Sequence, residues 1–70
     1  MLRYLPVEMS GVPPAYGISD EIYRDGQWLP IVFVPDVSCD RHFVEALAEK
    51  CTRLQLEPLH LRDVILDSLP

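Results

Sequence analysis

Seventy residues, 49% hydrophobic and 24% charged, make one folded domain, residues 1–70, with a single core. Six lysines and arginines against eleven acids give a net charge of −5. The basic residues Arg3, Arg24, Arg41, Lys50, Arg53 and Arg62 are scattered among acids, which argues against nucleic acid or an anionic membrane as partner. A domain this small has little apolar contact to give up to a deep active site, so neither an enzyme nor a cofactor is expected. No apolar run approaches the ~18 residues that span a bilayer. Met1–Met9 lacks the apolar core of a secretory signal, so a cytoplasmic protein with reduced thiols is expected.

Residues 2–9 read as a first strand, with Leu5, Val7 and Met9 on one face. Pro6 has no N–H to give a neighbour, which places this strand at a sheet edge. Residues 10–15 are a loop. Residues 16–23 alternate better: Ile18 and Ile22 share a face with Asp20, while Gly17, Ser19, Glu21 and Tyr23 take the other. Asp25-Gly26 then signals a tight hairpin, because both residues tolerate positive φ. Residues 28–34 form the strongest strand, apolar on both faces. Strict alternation puts Trp28, Val32 and Val34 together, with Leu29, Ile31 and Phe33 opposite. Pro30 is awkward there unless its nitrogen points away from the pairing partner.

Pro35-Asp36-Val37 breaks the strand, and Ser38 is the expected N-cap of a helix over residues 39–54. Phe43, Leu47, Cys51 and Leu54 recur at helical spacing, with Val44 and Ala48 widening the stripe. A second helix is expected over about residues 58–69, opened by Pro58, with Leu61, Val64, Ile65 and Leu69 apolar and Asp63 and Asp67 wet. The order predicts an α+β fold: a small antiparallel sheet of two or three strands, a β-hairpin with an Asp-Gly turn, then two helices packed on one face.

Two short helices cover one sheet face. The other face of residues 28–34, with Trp28 on it, needs the N-terminal segment or another chain. This points to a protein-interaction domain, either a homodimer or a complex with another protein partner. Trp28, Val32 and Val34 are the expected contact residues, with Tyr23 at the rim.

The chemical alternative is a metal-binding or thiol-redox module. Cys39-x-x-His42, with Cys51 and His60 downstream, offers soft ligands for zinc, although the spacing matches no familiar finger or ribbon. Cys39 at a helix start, near His42, is open to activation as a thiolate; Asp36 and Asp40 oppose it. Placed twelve residues apart on one helix, Cys39 and Cys51 would lie about 18 Å apart, too far for a disulfide. Asp20 and Glu21 are adjacent on a strand and point to opposite faces. Asp63 and Asp67 read as a solvated helix face, so neither pair is a catalytic dyad. The serines lack any nucleophile-elbow context, the glycines form no phosphate loop, and no catalytic residue is assigned.

Tyr16-Gly17-Ile18, then Asp36-Val37-Ser38, then Val44-Glu45 with Leu47, and finally Leu56-x-Pro58-x-His60-Leu61-x-Asp63-Val64 with Asp67 form an ordered set of short motifs. Over about residues 14–69 the chain resembles a small family of Gram-positive, mostly clostridial, bacteria, domain of unknown function 6514. The resemblance implies a short bacterial cytoplasmic protein with a hairpin followed by helices. It brings no catalytic residues.

Overall fold

Three prolines fall within strands, Pro6, Pro30 and Pro35, and all of them lie on the two edges of the sheet. The computed structural model describes residues 1–69. β1 (Leu2–Met9), β2 (Ala15–Arg24) and β3 (Gln27–Ser38) form an antiparallel sheet in the order β1-β2-β3. The central β2 carries no proline, as its two-sided hydrogen bonding requires. The expected edge position of β1 is correct. Pro30 is accommodated because β3 is an edge as well.

The hairpin forms as its residues demand. Asp25 (φ 52°) and Gly26 (φ 82°) both take the left-handed conformation of a type I′ turn, closing directly on the Arg24–Gln27 pair. β3 runs further than expected. The Pro35-Asp36 break is a bulge inside the strand, because Asp36 adopts φ 52° and pairing resumes at Ser38 opposite Tyr16.

A second irregularity overturns the expected faces of β3. Asp20 pairs with Val32, but the next residue, Glu21, pairs with Pro30, so Ile31 is an extra residue in β3. An extra residue inverts the alternation beyond it. Val32 and Val34 therefore lie in register with Asp20 and Ile18 and pack against the core, whereas Trp28 lies on the opposite face, beside Tyr23.

Helix α1 spans Arg41–Arg53, two residues shorter at its start than expected. Its cap is Asp40, not Ser38: Asp40 Oδ1 accepts from the Phe43 N–H at 3.2 Å. Ser38 Oγ instead accepts the Asp40 N–H at 3.0 Å, a turn contact that precedes the helix. Cys39 thus lies outside the helix. At the other end Gln55 takes φ 49° as the Leu56 N–H reaches the Cys51 carbonyl and the Gln55 N–H reaches that of Thr52, both at 3.0 Å. This is a Schellman ending with glutamine where glycine is usual. Pro58 opens a 3₁₀ turn, Pro58–His60, that leads into α2, Leu61–Ser68.

Both helices pack on one face. Val44, Leu47, Ala48 and Cys51 of α1 and Leu61 and Ile65 of α2 meet Tyr4, Tyr16, Ile18 and Val37 in one core. Leu54, expected on the buried stripe, is exposed because the helix ends there.

The outer edge of β1 is closed by side chains of α1's end. Gln55 Oε1 accepts the Leu2 N–H at 2.9 Å and its Nε2 donates to the Leu2 carbonyl at 2.8 Å. Thr52 Oγ1 accepts the Tyr4 N–H at 2.7 Å. A glutamine at position 55 thus accepts an unfavourable backbone conformation and supplies the amide that stands in for a neighbouring strand.

Replacing Asp40 by alanine is expected to lower stability by about 1 kcal/mol through loss of the cap. Ser38→Ala should cost clearly less. Urea denaturation of the two variants checks the order, and equal or inverted losses contradict the assignment of the cap.

Candidate interaction surface

The helices leave one sheet face open. Register places five cross-strand rows on it: Arg3, Glu21 and Pro30; Leu5, Ser19 and Phe33; Val7 and Gly17; Met9 and Ala15; Tyr23 and Trp28. Opposed residues share a face, so these rows form one surface. Phe33 keeps 47% of its surface exposed and Leu5 37%, large values for apolar groups in mid-strand. Phe33 lies beside Gly17, where a Cβ would stand 3.0 Å from its ring and 2.6 Å from the Val34 carbonyl. The missing side chain lets the ring lie close to β2.

The same face carries one ion pair. Arg3 Nε lies 2.6 Å from Glu21 Oε1, and the Arg3 guanidinium sits 4.3 Å above the centre of the Trp28 ring. Tyr23 meets Trp28 edge-on, with ring centres 5.2 Å apart. Trp28 is consequently half-buried, roofed by Arg3 and flanked by Tyr23. Cation–π contact and ion pairing hold the arginine flat along the sheet.

Of the four expected contact residues, Trp28 and Tyr23 lie on this face, while Val32 and Val34 lie on the other. Leu5 and Phe33, exposed on this face, were not among the expected residues. The alternation that places Leu5 with Val7 and Met9 is correct, but Phe33 joins them only because of the extra residue at Ile31. The N-terminal segment does not cover the face either, since it is β1 of the sheet itself.

The chemical candidates are not brought together. Cys51 is buried on α1, and burial pushes its thiol up from the usual cysteine range. Cys39 is exposed ahead of α1. His42 is exposed, its Nδ1 3.7 Å from Glu45 Oε1, and His60 stands 3.9 Å from Glu57 Oε2. Among the described residues no group of three or more histidines, cysteines or acids is placed to hold a metal ion. Both thiols are free. A cleft of about 150 Å³ lined by Pro6, Glu8, Tyr16, Arg41 and Glu45 is already paired internally, Arg41 to Glu45 at 3.3 Å and the Tyr16 hydroxyl to Glu8 at 3.3 Å. Among the described residues no helix is long and apolar enough to cross a membrane.

A family model, a family of unknown function (DUF6514), matches residues 5–70. The chain belongs to that family. No curated protein and no solved structure matches it. The DUF6514 match takes in the open-face residues from Leu5 to Phe33, but it assigns none of them a role.

In a thiol titration one equivalent, Cys39, is expected to react readily, and the second, Cys51, only on unfolding. Two thiols reacting at equal rates in the native protein contradict the burial of Cys51.

Proposed function

We propose that the chain is a non-enzymatic accessory domain of the Gram-positive bacterial cytoplasm that self-associates, a second copy packing on its open sheet face. The observation that carries this reading is the surface formed by Leu5, Phe33, Tyr23 and Trp28 on a face that no element covers.

Charge favours a second copy as the occupant. The molecule carries −5 overall, so most approaches of two copies are repulsive. Among the described residues, the cross-strand rows of the open face carry only Arg3 and Glu21 as charged side chains, which cancel. Those two charges are bonded to each other, so burying the face leaves no unpaired ion behind. The edges favour the face over strand addition. β1 is closed by Gln55 and Thr52, and β3 is interrupted by Pro30, Pro35 and two bulges. A two-fold arrangement would stack the sheets about 10 Å apart, with Phe33 and Leu5 interdigitating near Gly17.

Sedimentation over a concentration series, with Trp28 fluorescence read on the same samples, tests the reading. A dimer is expected, with Trp28 more exposed on dissociation. Phe33→Asp should weaken it by about 30-fold or more, the factor for a contact worth at least about 2 kcal/mol. Leu66→Asp, an exposed change on the helical side, should leave it unaltered. A monomer at all concentrations, with a heterologous partner or none, overturns self-association. A dimer indifferent to Phe33→Asp overturns the face.

A further inference from the structure

Asp20 is a charged residue fully removed from solvent, at 0% exposure in the middle of β2. Among the described residues neither of its carboxyl oxygens has a hydrogen-bond partner. It faces the helices between Tyr4 of β1 and Val32 of β3. Buried carboxylates are normally paired or neutralised, because an ionised group in an apolar site is far costlier than a neutral one.

Among the described residues no cation stands beside it. β1 presents Tyr4, β3 presents Val32 and α1 presents Cys51, with Lys50 acting on Cys51 from the next position. The residues α2 sends into the core, Leu61 and Ile65, are apolar. Tyr4 also adjoins Asp20, but its single hydroxyl proton goes to the Leu56 carbonyl. The Tyr4 oxygen is thereby left as an acceptor. A neutral Asp20 suits that environment and an ionised one does not. Burial pushes the Asp20 carboxyl above the usual carboxylate range and outweighs the adjoining Tyr4 hydroxyl, which pulls it the other way, and burial with the adjoining Asp20 pushes the Tyr4 phenol up as well.

We propose that Asp20 is a proton-operated latch between the two layers of the fold. The helical layer seats on the sheet over a neutral carboxyl. Ionisation places an unpaired charge beneath Cys51 and Leu56 and loosens the end of α1, with its Thr52 and Gln55 clasps, from β1. Folding therefore takes up a proton at Asp20. The folded protein binds more protons than the unfolded chain, so the stability contributed is fully present below the unfolded value of 3.8 and is lost as pH rises through the raised folded value.

The test is the unfolding equilibrium of the wild type, Asp20→Asn and Asp20→Leu, measured by urea titration from about pH 4 to pH 9. Relative to either variant, the wild-type folding constant should fall by up to about tenfold per pH unit until the folded carboxyl ionises. Carbon-13 NMR of the Asp20 carboxyl in the folded wild type gives a second readout that needs no variant to fold. It should show the protonated form persisting well above pH 4, and hydrogen exchange at the Leu2 and Tyr4 amides should quicken as that signal titrates. A carboxyl that ionises at or below its unfolded value overturns the latch. So does a wild type whose pH dependence matches both variants.

Discussion

The pairing of β2 with β3, with one extra residue at Ile31, decides what each face of the sheet carries. Strict alternation would put Trp28 on the same face as Val32 and Val34. The bulge separates them. Two small β-branched side chains go under the helices, where they pack against the shared core. The larger rings, Trp28 and Phe33, go to the open face. The core of so short a chain has room for one helical layer, and the bulge assigns to it the side chains that fit close packing.

The edges follow a complementary logic. A three-stranded sheet has two edges, each a template for another strand. On β3 the answer is proline and bulge. On β1 it is the end of α1, where Gln55 does two jobs: its backbone turns the chain out of the helix, and its side-chain amide pairs with Leu2. Glycine would turn the chain with less strain but would leave the edge amide and carbonyl of Leu2 to solvent. What remains available for association is a face of paired charges and exposed apolar rings, not a ladder of free backbone groups.

Much of this was legible in the sequence. Pro6 marks an edge, Asp25-Gly26 a turn, and the four-residue spacing from Phe43 to Cys51 a helix, because each rests on a local rule of sterics or periodicity. The phase of β3 was not legible. In Trp-Leu-Pro-Ile-Val-Phe-Val every position but the proline is a strong apolar strand former, so a one-residue slip changes no local preference. The cap was ambiguous for a related reason: Ser38 and Asp40 are both good N-caps, and only the geometry of the Phe43 amide chooses between them. Asp20 did leave a signal, an acid in phase with Ile18 and Ile22 on the face that became the core.

That acid also links the two halves of the reading. A domain of this length has a net stability of only a few kcal/mol, and a buried polar group without partners takes away about 1–3 kcal/mol. An apolar residue of similar size would strengthen the core, so the carboxyl does not serve packing. Its neighbours on β2, Ser19 and Glu21, point to the open face, in the rows that contain Phe33 and Arg3. The Ile31 bulge lies directly opposite the step from Asp20 to Glu21. The proton site and the proposed interface are therefore separated by the thickness of one strand, at the place where its pairing is irregular. A charge appearing at Asp20 would act on the strand that sets the spacing of Leu5, Ser19 and Phe33. On this geometry the proposed latch and the proposed interface share β2, the one on its helical side and the other on its open side.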